Sequence, residues 1–390
     1  MNAHKFPLLF NLESTQPDVL SKRHGGGKYG EMVFRRIVKR ELPVICYYDS
    51  TRWLNPDVKS IIDGNGIKLY NLQGETVQGL VDKIGAKILF SPQYTRELAR
   101  LQRIEVIGTI HGLRGLETPW DSDMVNYKPW KNAVKYYVYK IFKNKRVRKE
   151  YDLLRTVFDN PCCHIVTVSN HSASSIKCYL PNYQKKDIPV FYSPSTSAEL
   201  SLSRKCYDKY FLIVSANRSY KNALRAIRAF DRLFENEFLE GYKVKITGAS
   251  SWGTYRYKPM HPDRFEFLGF VEELELEQLY HDAYCLVYPS LNEGFGYPPL
   301  EAMHYGTPVI TSSFSSIPEV CGDAVLYFNP LSVEEIMSRI LLVCREEIHQ
   351  LLSERAKMRY KYITEKQFED LDRLIDYTYD IAAKVGGAEM

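Results

Sequence analysis

The chain has 390 residues, 45% hydrophobic and 25% charged. That balance is ordinary for a globular protein and the length is too great for one typical core, so two domains are expected. A formal net charge of +5, with no nucleic-acid recognition motif, gives no case for a nucleic-acid partner, and with no run approaching 18 apolar residues no membrane-spanning helix is expected.

Phe6 to Phe10 is too short for the apolar region of a signal peptide and predicts a first strand. Gly25, Gly26 and Gly27 then stand in a loop ahead of a helix predicted over Glu31–Arg40. Three glycines there suit close backbone approach to an anion or a sugar; a flexible surface loop is the alternative. Strands are predicted at Val44–Tyr48, Lys68–Leu72, Lys87–Ser91 and Glu105–Ile110, with helical stretches such as Thr76–Ile84 and Thr95–Arg100 between them. This βαβ rhythm implies a parallel sheet. His111 follows the last of these strands, where a doubly wound sheet presents residues to a ligand. A satisfied structural histidine is the alternative.

Asp121-Ser122-Asp123 imitates a D-x-D metal motif, with a solvated loop as the other reading, the one that the family resemblance given below implies; no histidine or cysteine cluster supports a metal site elsewhere. Residues 127–155 carry ten basic residues, with Trp130, Val134, Tyr137, Val138, Ile141 and Phe142 at helical spacing. A basic amphipathic helix suits an anionic membrane surface; a helix packed on the protein by its apolar face is the other reading. His164–Ser169 and Pro189–Tyr192 predict the last strands of the first domain, separated by a helix capped near Ser169. Ser193–Lys209 reads as a linker. The eight cysteines are scattered without a C-x-x-C pair, so most are expected to be small buried hydrophobes in a reducing cytoplasm.

The second half repeats the rhythm: strands at Tyr210–Ser215, Tyr242–Gly248, Phe265–Val271, Cys285–Tyr288 and Val309–Thr311, and helices at Ala223–Phe234, Glu275–Ala283, Pro299–Gly306, Val333–Ile363 and Glu369–Lys384. The loop Asn292–Pro298 joins a strand to a helix. Gly294 and Gly296 let its backbone turn sharply beside a ligand. The N–H groups of the following helical turn and its dipole favour a phosphate. Glu293 and Glu301 bracket the loop, and a carboxylate accepts two hydroxyl hydrogen bonds, as the paired hydroxyls of a ribose or hexose require. Two carboxylates and a phosphate cradle suggest a nucleotide-sugar; an ordinary strand–helix turn is the alternative.

Glu293-Gly-Phe-Gly-x-Pro-x-Leu-Glu301, followed by Ala302-Met-x-x-Gly-Thr-Pro-Val-Ile-Thr-Ser312 and Ile317-Pro-Glu-Val-Cys-Gly-Asp-Ala324, resembles the signature of family 4 retaining glycosyltransferases of the GT-B fold. The resemblance implies two doubly wound α/β domains facing across a cleft, residues 1–195 with the helix 369–390 and residues 205–368. It implies Glu293 at the donor sugar's hydroxyls, the Phe295–Gly296 amides at sugar and phosphate, and Glu301 at the ribose. Lys221 matches the family's diphosphate lysine. Ala216 stands where the usual arginine would be, so Arg218 is the substitute. Phe270 and Val271 are implied at the nucleobase, and His111, Gly26 and Gly27 at the donor from the first domain. The implied activity is metal- and cofactor-free, retaining hexosyl transfer from a GDP- or UDP-sugar, mannose favoured, to a glycan or polyprenyl-linked acceptor of cell-surface polysaccharide. It implies a cytoplasmic protein, with the membrane surface as a possible attachment. An inactive nucleotide-sugar or membrane-binding relative and a nucleotide-sugar epimerase are the alternative functions.

Overall fold

The structure is a computed structural model that describes residues 7–17, 25–127, 134, 137–138, 141, 143–183, 187–195 and 209–387. Phe6, His24, most of the predicted linker, and Trp130, Phe142 and several lysines of the basic stretch lie outside them or carry no described side chain. The chain divides into two compact units. The first comprises residues 1–113, 148–195 and 364–390, and the second residues 114–147 and 196–363.

The first unit holds a parallel sheet of β1 (Leu8–Asn11), β2 (Val44–Tyr48), β3 (Leu69–Asn71), β4 (Ile88–Ser91), β5 (Glu105–Ile110) and β6 (Cys163–Thr167), in the order β3-β2-β1-β4-β5-β6. The second unit holds β7 (Tyr210–Ile213), β8 (Lys243–Thr247), β9 (Phe265–Gly269), β10 (Cys285–Tyr288), β11 (Val309–Ser312) and β12 (Leu326–Phe328), in the order β12-β11-β10-β7-β8-β9. Each order is the doubly wound one, in which the chain reverses its direction of travel once, between β1 and β4 and again between β7 and β10. The crevice outside the strand ends at that reversal is where such sheets bind ligands. The central strands read as unbroken apolar runs because helices cover both faces. All four residues of β1, β4, β7, β10 and β11 are buried.

Several predicted boundaries shift. Gly25–Gly27 do not precede the first helix but open it, since that helix runs Gly25–Lys39. Gly30, one turn on, is required by packing: a Cβ there would lie 2.6 Å from Pro92 and 2.7 Å from Thr15. Thr95–Arg100 contains only a 3-10 turn at Leu98–Arg100. Pro189–Tyr192 is not a strand. Only Val190 bridges to Thr167, because the next backbone groups bond instead to the C-terminal helix: Tyr192 N–H donates to Asp370 and Ser193 C=O accepts from Gln367. The helix predicted over Val333–Ile363 breaks after Val343. A single helix then runs Glu346–Gly387, taking in the separate helix expected at Glu369–Lys384.

The largest correction concerns Asp121 and Asp123, which are buried rather than solvated. Asp121 grips Arg225 through two bonds of 2.5 and 2.7 Å, and Asp123 holds Arg228 at 2.8 Å. Planar guanidinium groups match carboxylates in this paired geometry. Tyr127 lies in the core of the second unit, its ring edge-on to Tyr255 at 5.3 Å and its hydroxyl accepting from the Leu224 N–H at 3.1 Å. The strap Arg114–Tyr127 therefore belongs to the second unit, although the sequence reading gave it to the first. Of the seven described cysteines, Cys46, Cys163, Cys285 and Cys321 are buried and Cys178 is exposed.

Candidate functional site

In the second unit, the reversal point between β7 and β10 collects most of the residues singled out by sequence. After β7 the chain turns through Ser215–Ala216 and makes a short 3-10 turn, Ser219–Lys221, before the helix Ala223–Glu235. Gly248 makes that turn possible. Its φ is +83°, and a Cβ would lie 3.0 Å from the backbone of Ser215 and Ala216. Ala216 is fully buried.

Lys221 is buried, with Nζ 2.6 Å from Glu293 Oε1 and 2.5 Å from the Tyr288 hydroxyl. Glu293 Oε1 also accepts from the Tyr288 hydroxyl at 2.7 Å and the Ser290 hydroxyl at 2.5 Å. Burial alone would raise the pKa of this carboxyl. The Lys221 charge and hydrogen bond, with the Ser290 and Tyr288 hydroxyls, outweigh burial and hold it below the usual carboxylate range. Burial first, and then the Glu293 charge, push the Tyr288 phenol far up, so it stays a donor.

The loop after Glu293 is stapled from β11's end. The Glu293 N–H donates to Ser315 Oγ at 2.8 Å, and Ser316 Oγ donates to the carbonyls of Glu293 and Phe295, both at 2.9 Å. Phe295 is buried. Gly296 has φ +110° and caps the helix Tyr297–His304; the nearest atom to an added Cβ is 3.8 Å away, so conformation rather than space demands glycine. Pro298 and Pro299 remove two of the first turn's N–H groups, so the expected anion cradle rests on the remaining amides. Glu301 stands on that helix, and the Tyr280 phenol is held protonated first by burial and then by the Glu301 charge. Gly294 and Val271 are half-buried, whereas Phe270 is 72% exposed and flanks the end of β9.

Arg218 is exposed and donates to the Tyr220 hydroxyl at 3.2 Å. The strap reaches the same place. The Arg114 guanidinium lies over the Tyr220 ring at 4.1 Å, and Asn292 Nδ2 donates to Glu117 Oε2 at 2.8 Å. Sequence reasoning missed Arg114, Tyr220, Tyr288, Ser290, Ser315 and Ser316. The hydroxyls next to Glu293 carry no spacing signal, and Arg114 is distant in sequence from what it touches.

In the first unit, His111 sits just beyond β5, and its Nε2 donates to the Pro92 carbonyl at 2.9 Å. Its ring meets Tyr29 edge-on at 4.8 Å, and its own carbonyl accepts from the Ser172 hydroxyl at 3.1 Å. The ring is thereby oriented at the reversal point between β1 and β4, where Asn11 also bonds Ser91 at 3.0 Å. Gly26 is half-buried and Gly27 buried in the first turn of the helix Gly25–Lys39. Beside the ends of β1–β3 is a cavity of about 330 Å³, lined by Glu13, Asp49, Thr51, Gln73, Glu75 and Glu97 among others. Burial raises the Glu13 carboxyl despite the nearby Arg52. Among the described residues, no group of three His, Cys, Asp or Glu side chains could hold a metal ion, and no helix is long and apolar enough to cross a membrane.

Residues 202–364 match the family model described as glycosyl transferases group 1. The chain is 30% identical over 220 residues to the O-antigen chain mannosyltransferase RfbU of Salmonella typhimurium, covering 55% of this chain and 58% of that protein. It is 30% identical over 190 residues to O-antigen chain mannosyltransferase B of Escherichia coli, covering 47% and 46% respectively. The chain thus spans about half the length of these curated relatives. The crystal structure of Anabaena HepE in complex with UDP-glucose superposes with a TM-score of 0.60 at 14% identity, over 94% of this chain and 99% of that one. Two six-stranded parallel sheets of doubly wound order and such neighbours make this a two-domain α/β protein of the GT-B fold.

Proposed function

We propose that the protein is a retaining glycosyltransferase of family 4 that moves a hexose, with mannose favoured, from a nucleoside-diphosphate sugar to a hydroxyl of a glycan or lipid-linked glycan in cell-surface polysaccharide synthesis. The observation that carries this reading is the Lys221–Glu293 pair at the β7/β10 reversal, with Glu301 on the helix that the same loop opens. The similarity to two O-antigen mannosyltransferases supports both the hexose and the polysaccharide.

In this reading Glu293 accepts hydroxyls of the donor sugar and Glu301 the ribose hydroxyls. Lys221 and Arg218 meet the diphosphate, whose negative charge grows as the glycosidic bond breaks. The Gly294, Phe295 and Gly296 backbone lies along sugar and phosphate, and Phe270 and Val271 bracket the base. Transfer is a front-side substitution. The acceptor oxygen bonds to the anomeric carbon on the face from which the diphosphate oxygen departs. That departing oxygen takes the acceptor's proton, and the products are the glycoside and the nucleoside diphosphate. No carboxylate is needed as a base, and no metal is expected to be required. In the first unit, His111 and Gly26–Gly27 belong to that unit's own reversal point and first helix, and the acidic cavity suits a neutral, hydroxyl-rich acceptor. Val134, Tyr137, Val138 and Ile141 are exposed at i, i+3, i+4, i+7 spacing amid basic residues, which favours peripheral attachment to the cytoplasmic face of an anionic membrane.

Thermal shift against UDP-, GDP-, ADP- and dTDP-sugars tests the donor site. A donor at 100 times its Kd should stabilise by roughly 2.7 kcal/mol, and Glu301→Ala should abolish the shift. No shift with any donor would sink the reading. The product anomer, read by NMR, tests retention; flotation with anionic against neutral vesicles tests the membrane.

A further inference from the structure

Three cations converge on one tyrosine of the second unit. The Arg114 Cζ lies 4.1 Å from the centre of the Tyr220 ring, the Lys221 Nζ lies 5.4 Å from it, and Arg218 Nη1 is 3.2 Å from its hydroxyl. Like charges gathered this closely repel unless an anion is shared among them. Lys221 has Glu293 as its counter-charge. Among the described residues no carboxylate pairs with Arg114 or with Arg218, and Glu117, the nearest acid on Arg114's own turn, is engaged by Asn292. Arg114 and Arg218 are both exposed residues, and the Tyr220 hydroxyl takes one of the Arg218 donors. Stacking on the ring fixes the plane of Arg114 while leaving its edge N–H groups to bond outward.

The position of Arg114 is built rather than incidental. Its strap is anchored at one end by the Asn292–Glu117 bond. The other end is held by the pairs that the buried Asp121 and Asp123 make with the half-buried Arg225 and Arg228, and by Tyr127 in the core. Arg225 and Arg228 lie on the helix that begins immediately after Lys221 and Asn222. The same clasp therefore fixes the strap against the element that positions Lys221.

We propose that Arg114 is a diphosphate-binding residue of this site, acting with Arg218 and Lys221 around Tyr220, so that the strap completes the donor site. This rests on the donor-site reading above, but its chemistry, recognition of a pyrophosphate-type anion, can be tested apart from it. Paired guanidinium–phosphate bonds are short and strong, and removing one costs on the order of a 10- to 100-fold change in affinity.

The experiment is isothermal titration calorimetry on the full chain with inorganic pyrophosphate, UDP, GDP and the unphosphorylated nucleosides. Wild type, Arg114→Ala, Arg114→Gln, Arg218→Ala and Lys221→Ala are compared, and melting temperature serves as the folding control. The expected result is weaker binding of pyrophosphate and of the preferred diphosphate by about 10- to 100-fold in either Arg114 variant, with nucleoside binding unmoved. Wild-type affinity for pyrophosphate and diphosphate in a folded Arg114 variant, alongside loss in Lys221→Ala, would overturn the proposal. So would a wild-type protein that binds no pyrophosphate. Loss of pyrophosphate in the Arg114 variants, in a protein that transfers no sugar from any donor, would sustain this site and sink the transferase reading.

Discussion

Replacing Lys221 by methionine keeps the stem and removes the charge opposite Glu293. Both side chains are 9% exposed, so the carboxylate left behind is buried and unpaired. Breaking a buried pair from one side costs about 3–5 kcal/mol. Glu293 keeps the Ser290 and Tyr288 hydroxyls as donors, which puts the expected loss near the lower end, about 3 kcal/mol. For a unit of this size that lowers the melting temperature by roughly 6–12 °C. The pH dependence is the sharper test. In the wild type the Glu293 pKa is depressed. Its contribution is therefore present above the unfolded-state value and is lost as pH falls through the lower folded value. In Lys221→Met burial dominates and the folded value rises above the unfolded one. The variant then loses stability as pH rises through that raised value, so the gap to wild type is narrow near pH 5 and wide near pH 8. Urea titrations at both pH values, read by hydrogen exchange of β7 and β10 peptides, measure it. A gap below about 1 kcal/mol, or one that does not change with pH, would refute the account of the pair.

Asp121→Ala should destabilise the second unit by about 1–3 kcal/mol, since it removes Arg225's two-bond acceptor and leaves it only Asp123 at 3.4 Å and the Asn222 side chain; an unchanged melting curve would show that the clasp contributes nothing. Gly296→Ala has room for its Cβ but must hold φ +110°, so a penalty of about 1–3 kcal/mol is expected from backbone strain; calorimetric melting checks it. Glu301→Gln should weaken nucleotide-sugar binding more than free pyrophosphate binding, because the proposed function gives Glu301 the ribose and not the phosphate; paired titrations separate the two. Transfer activity should survive EDTA, a result read directly from turnover with and without chelator.

Much of the fold could be read from the chain because the buried parallel strands announce themselves. β5 and β10 fall where the apolar runs begin and end, and Ser169 caps its helix by the expected side-chain bond. The loop at Glu293 was legible because glycine, proline and carboxylate at fixed spacing each have a separate physical reason to be there. Asp121 and Asp123 were misread because charge suggests solvent, and only three-dimensional proximity shows that arginines more than 100 positions later neutralise them. The Pro189–Tyr192 run was misread because apolar residues can be buried by a helix without pairing as a strand. The hydroxyl ring around Glu293 was invisible for the opposite reason, since serine and tyrosine are common enough that no pattern marks them.

The family model covers residues 202–364, yet the core beneath that span is completed by Tyr127, and two of its helix arginines are answered by Asp121 and Asp123. A fragment cut at the family boundary would thus carry a hole where an aromatic ring belongs and two half-buried arginines stripped of their carboxylate partners. Transplanting residues 202–364 of this chain alone into another protein should fail to fold for that reason. The portable module is the later half together with Arg114–Tyr127, and chimaeras that move the two together are the ones expected to fold.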